Sequence, residues 1–146
     1  MLVEVKAKVA RIIDGKIRKR VETFLVPDCD VFTNAEYIVL NALINEQEEG
    51  TVDSSEILSL RQSPIKEVCS QFQGESAFIA TLKDIFHEDD GTEKVLKYKV
   101  FLWANNLTEA NHNVQLLAHE GYDMQIEGIK QVDYEYMGRR SESNGE

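Results

Sequence analysis

Asp30-Val31-Phe32-Thr33-Asn34-Ala35-Glu36-Tyr37-Ile38-Val39-Leu40 returns 75 positions later, faintly, as Asn105-Asn106-Leu107-Thr108-Glu109-Ala110-Asn111-His112-Asn113-Val114-Gln115. Each stretch gives an apolar residue (Phe32, Leu107), then Thr, an Ala two further on and a Val six further on. Upstream of each lies an Asp-Gly pair, Asp14-Gly15 and Asp90-Gly91, at nearly the same offset. A repeated spacing of turn and helix start implies a repeated unit, so the elements around one copy guide the reading of the other.

Before the first copy, Val3, Val5, Ala7 and Val9 alternate with Glu4, Lys6 and Lys8, the period of a strand with one buried face. Asp14-Gly15 tolerates the positive φ of a two-residue hairpin turn, and Ile17, Val21, Phe24 and Leu25 lie on the returning strand. Thr33 with Glu36 forms the pattern of a capping box, and Phe32 with Tyr37 that of a hydrophobic staple. Ala35, Ile38, Val39, Ala42 and Leu43 then define one apolar helix face. Residues 56–61 read as a third strand, and residues 64–74 as a short helical linker.

The second half follows the same order. Phe78, Ala80 and Leu82 lie on a strand, 87–91 is an acidic turn, and from Val100 to Ala104 the chain is apolar on both faces, as a central strand requires. Thr108 is read as the cap of a helix carrying Ala110, Val114 and Leu117. A last strand runs from Met124 to Tyr136, with a change of phase at Gly128 that predicts a β-bulge. The expected fold is α+β: duplicated ββαβ units forming one antiparallel sheet of about six strands, with two helices on one face. Residues 1–138 make a single domain of two repeats, 1–63 and 75–136, joined by the linker 64–74, and 139–146 is a disordered polar tail. A half of about 65 residues is marginal alone, which favours packing the two together.

Composition bounds the function. No apolar run approaches the roughly 20 residues of a membrane-spanning helix, and no signal-peptide pattern opens the chain, so the cytoplasm is the expected location. The net charge of −10 is uneven: residues 1–22 hold seven bases and three acids, the remainder nine bases and 23 acids. An acidic body disfavours phosphate backbones and favours basic protein partners.

Catalytic, metal and cofactor signatures are not found in the pattern. Cys29 and Cys69 stand 40 positions apart in no CxxC arrangement and read as free structural thiols. His112 and His119 are seven apart, too far along a helix to share an ion, with Glu109 and Glu120 nearby. The 87–91 turn lacks the ligand spacing of a calcium loop, and the eight glycines form no phosphate cradle. The better signal is a basic hairpin. Lys6 and Lys8 share a face of the first strand, and Lys16, Arg18 and Arg20 a face of the second. These five are expected as one positive stripe on the solvent side, and with Lys19 they are the candidate partner or nucleic-acid contacts. Tyr98, Phe101 and Trp103 are candidates for base stacking beside it.

Arg20–Val26, Val31–Glu36 and Lys99–Ala104 together resemble small proteins of Bacteroidetes and their phages grouped as domain of unknown function 4494. The resemblance runs from about residue 2 to about residue 136 and implies a phage or bacterial setting, with no catalytic residue. The expected function is that of a non-enzymatic phage or phage-like accessory protein. It binds a macromolecule, foremost a host protein, as in the inhibition of a defence or transcription component. The alternatives are nucleic-acid binding through the basic hairpin and sequestration of a small anionic nucleotide, and a homodimer is a candidate form.

Overall fold

A computed structural model describes residues 1–119 and 124–138, the last two residues of the second helix by backbone alone. The expected polar tail 139–146 lies outside the described residues, as does Glu120. The class is α+β, with eight strands and two helices. The strands form two four-stranded sheets instead of one of six. Contacts divide the chain into two compact units, residues 1–63 with 133–138, and residues 64–132.

In the first unit, β1 (Val3–Ile13) and β2 (Lys16–Val26) form a hairpin. Helix α1 (Phe32–Glu48) follows, and β3 (Val52–Gln62) returns antiparallel to β1. The turn is the expected one: Asp14 and Gly15 have φ of 52° and 76°, the handedness that matches the twist of a two-residue hairpin. Pairing from Val3 with Val26 to Ile13 with Lys16 proceeds without a register shift. Val3, Val5, Ala7, Val9, Phe24 and Val26 form the core against Ala35, Val39 and Leu43 of α1. These three helical residues recur every four positions and form the buried stripe.

The sheet order is β3-β1-β2-β8, where β8 (Glu135–Tyr136) pairs parallel with Phe24 and Leu25 of β2. The expected single last strand is therefore broken after Val132: its final residues cross into the sheet of the first unit. Two residues carry no readable period, which is why the alternation merged them with the strand before.

In the second unit, β5 (Ser76–His87) and β6 (Glu93–Ala104) form the hairpin. After α2 (Leu107–His119), β7 (Met124–Val132) returns antiparallel to β5. The expected bulge is present, as a register shift that skips Glu127 beside Gly128. Residues 64–74 hold strand β4 (Ile65–Cys69), parallel to β6, where a helical linker was expected. The Ile65, Val68, Cys69 spacing fits a helix equally well, and only the non-local pairing with β6 decides it. Phe78, Ala80, Leu82, Val100, Leu102 and Ala104 pack on Ala110 and Val114 of α2.

Both helix starts sit one residue before the expected caps. The Val31 N–H donates to Asn34 Oδ1 at 3.2 Å, so Asn34, not the Thr33–Glu36 pair, closes the first turn of α1. Phe32 and Tyr37 stay exposed. In α2 the Glu109 N–H donates to Asn106 Oδ1 at 2.8 Å, making Asn106 the cap in place of Thr108.

Candidate macromolecular interface

The first hairpin reaches beyond its core. Toward the turn β1 passes from buried Val9 and Ala10 to exposed Ile12 and Ile13, and β2 is exposed from Lys16 through Val21. This distal part is the arm: it is two-stranded only at the Ile12–Ile17 and Ile13–Lys16 pairs, and from Arg18 to Val21 it is the outer strand of a sheet in which β3 pairs with β1 as far as Arg11. Its apolar residues are left in solvent: Ile12 is 39% exposed, Ile13 43%, Ile17 55% and Val21 58%.

At the base of the arm stands an ionic bracket. The Arg11 guanidinium donates to both oxygens of Glu22, from Nε to Oε2 at 2.5 Å and from Nη2 to Oε1 at 2.6 Å. Its Nη1 reaches Glu46 Oε1, near the end of α1, at 3.4 Å. Arg20 Nε donates to the same Glu22 at 2.8 Å. Burial would raise the Glu22 carboxyl, but the hydrogen bonds from Arg11 and Arg20 outweigh it and hold that carboxyl below its ordinary value. Glu135 of β8 shows the reverse, raised by burial and by the neighbouring charge of Glu46. The bracket ties the arm to α1 in a fork geometry that Lys would not reproduce.

The six candidate bases are on this hairpin but do not form one stripe. The register pairs Lys6 with Thr23, Lys8 with Val21, Ala10 with Lys19 and Ile12 with Ile17, so Lys6, Lys8 and Lys19 share the face away from α1. Val9 pairs with Arg20, Arg11 with Arg18 and Ile13 with Lys16, so Lys16, Arg18 and Arg20 occupy the opposite face. A two-residue turn at 14–15 makes paired numbers add to an odd total, which puts even positions of β1 with odd positions of β2. That signal is present in the sequence and separates the expected stripe into two. Arg20 is also engaged by Glu22. The other five have no carboxylate within ion-pair distance among the described residues.

A shallow hollow of about 280 Å³ lies between Lys8, Ala10, Lys19, Ser54, Ser55 and Glu56. Glu56 pairs directly with Lys8, so the hollow carries both signs.

The three aromatic candidates are separated in the same way. Tyr98 lies on the α2 face, its hydroxyl 3.4 Å from Met124 Sδ and its ring 4.6 Å under Lys66 Nζ. Phe101 and Trp103 meet edge to face, with centroids 5.0 Å apart, on the other face. Phe101 is wholly buried and Trp103 is 7% exposed, so neither offers a ring to stack a base.

Cys29 and Cys69 are buried free thiols, and burial pushes Cys69 up to about 12, an unreactive value. His112 is exposed, while the His119 side chain lies outside the described residues. Among the described residues no cluster of three metal-binding side chains occurs. No helix among them is long and apolar enough to cross a membrane.

The chain belongs to the family described as Domain of unknown function (DUF4494), whose profile matches residues 2–136. No curated protein and no solved structure matches it.

Proposed function

With membership of this family as the premise, we propose that the chain acts by binding a macromolecule, that the partner is a protein, and that the β1–β2 arm makes the contact. The observation that carries this reading is the exposure of Ile12, Ile13, Ile17 and Val21 among the bases of the arm. The direct Ile12–Ile17 pair and strand propensity account for part of this β-branched content, but four such side chains on one arm also leave apolar surface that burial against a partner would stabilise. Bases interleaved with them suit a partner surface of acidic and apolar residues.

Nucleic acid is the second reading, favoured by bases on both faces of the arm. The apolar share of the arm weighs against it. For the small-anion reading, the hollow lined by Lys8 and Lys19 also holds Glu56, which repels a multiply charged ligand.

The scaffold is read as a duplicated ββαβ unit. Each unit has a hairpin, a helix and a strand that returns to the first hairpin strand. The helices start 75 positions apart, at Phe32 and Leu107, and the equivalent pairs Ala35 with Ala110 and Val39 with Val114 are all buried. A phage or phage-like accessory role in the bacterial cytoplasm, directed at a host defence or transcription protein, rests on the family resemblance. This reading assigns the chain no reaction.

The test is retention from nuclease-treated bacterial lysate by the full chain and by the variant Lys16→Glu, Arg18→Glu, Lys19→Glu. A protein held at stoichiometric level by the first and lost by the second is expected. Equal retention by both, or a protein retained only from a parallel lysate left without nuclease, would overturn the reading.

A further inference from the structure

The arm has an open side. Strand β8 meets β2 at Phe24 and Leu25 alone, with the Met137 N–H reaching Leu25 O at 2.8 Å. From Lys16 to Thr23, no strand among the described residues pairs with that edge of β2. Alternate backbone N–H and C=O groups over these eight positions therefore face outward, in the arrangement to which a further strand adds.

The two outer edges of this sheet differ in how they are protected. Strand β3 is broken by two register shifts against β1, at Lys6/Ala7 and Ala10/Arg11, and such bulges turn an edge away from further pairing. Strand β2 has none over its whole length. Bases on an edge are also a guard against self-association. That role does not account for Ile17 and Val21, the two most exposed apolar residues of the arm, on the same edge.

We infer that the β2 edge from Lys16 to Thr23 binds by strand addition, and that its occupant is an extended segment of a partner protein in which acidic and β-branched residues alternate. This deepens the function proposed above and rests on it. The chemistry follows from the alternation of side chains. On one face the incoming strand lies beside Lys16, Arg18 and Arg20, where carboxylates are complementary. On the other it lies beside Ile17, Lys19 and Val21, where apolar residues fit around a central base.

A second copy of this chain does not meet that requirement through the same edge. Antiparallel pairing of β2 with its own symmetry mate would set Lys16, Arg18 and Arg20 of both copies on one face, like charge against like charge.

The experiment uses the full chain and a synthetic peptide alternating Glu and Val. Three control peptides accompany it: two N-methylated at alternate residues, one in each register, and one with Lys in place of Glu. Binding is followed by fluorescence anisotropy and by amide hydrogen exchange. The expected result is saturable binding of the Glu–Val peptide, with new protection at alternate amides between Lys16 and Thr23. The Lys peptide and one of the two N-methylated peptides lose it while the other N-methylated register retains it, and Lys16→Glu with Arg18→Glu weakens it by about tenfold. Exchange in the Val3–Val9 core reports whether that variant is folded. Absence of binding, absence of protection at those amides, or equal binding of the N-methylated peptides would overturn strand addition. If a lysate partner still depended on the arm's bases while N-methylation had no effect, side-chain contact by the arm would stand and strand addition alone would fall.

Discussion

Arg11 decides how firmly the arm is held, because one guanidinium satisfies two carboxylates from different elements. Side chains at this bracket are little exposed, 16% for Arg11 and 13% for Glu22, so screening by water is limited. Removing Glu22 leaves Arg11 half-paired. Glu22→Ala is expected to destabilise the chain by roughly 1–3 kcal/mol in denaturant titration, the range of charge-assisted hydrogen bonds. The pH dependence has a definite sign. The folded Glu22 carboxyl lies below its ordinary value of 4.5, so its contribution is present above that value and is lost as pH falls through the folded one. Glu135 is raised in the fold, so its cost appears as pH rises through its folded value. Glu135→Gln is expected to stabilise the chain at neutral pH and to leave it unchanged in acid. Stability curves of the two variants against pH should therefore separate in opposite directions from the parent, and curves that move together would contradict these assignments.

At the scale of elements, the hairpin turn and the second helix cap carry the sharpest expectations. Gly15 sits at φ 76° with open space around it, so Gly15→Ala meets no neighbour but must hold a left-handed backbone, at a cost of about 1 kcal/mol. Asn106→Ala removes the acceptor of the Glu109 N–H and is expected to cost about 1 kcal/mol, whereas Thr108→Ala should be close to neutral. Thermal melts of these variants distinguish the two caps.

These same elements mark what the sequence makes legible. Asp14-Gly15 announces its own turn, the unbroken apolar run from Val100 to Ala104 announces a central strand, and the phase change at Gly128 announces a bulge. Each is a local signal. The helix caps are displaced by two residues, from Thr33 to Val31 and from Thr108 to Asn106, because Asn side chains close to each Thr offer competing backbone hydrogen bonds at the helix start. Strands β4 and β8 escape because short parallel pairings are decided by partners distant in the chain. The division of the six bases between two faces was accessible by counting through the turn. The burial of Phe101 and Trp103 was foreshadowed by the two-sided apolar character of their strand, which opposed reading them as stacking rings.

For the whole molecule, the chain path makes the first unit depend on residues from the far end: 133–138 complete a sheet begun at Val3. A chain ending at Val132 is therefore expected to lose amide protection at Leu25, whose backbone groups face β8, while retaining it at Phe78, Ala80 and Leu82. Equal loss in both units would contradict the division. The second unit keeps its four strands in that truncation, since β4, β5, β6 and β7 all precede the cut.

The central claim is that the arm, and not another exposed apolar position, touches a protein partner. Ile17 at 55% exposure and Leu116 on α2 at 49% are matched in accessibility but differ in setting. A photo-crosslinking residue placed at each, in the full chain within nuclease-treated bacterial lysate, compares them directly. The account predicts a discrete protein adduct from position 17 and none from position 116. No adduct at 17, or the same adducts from both positions, would contradict it.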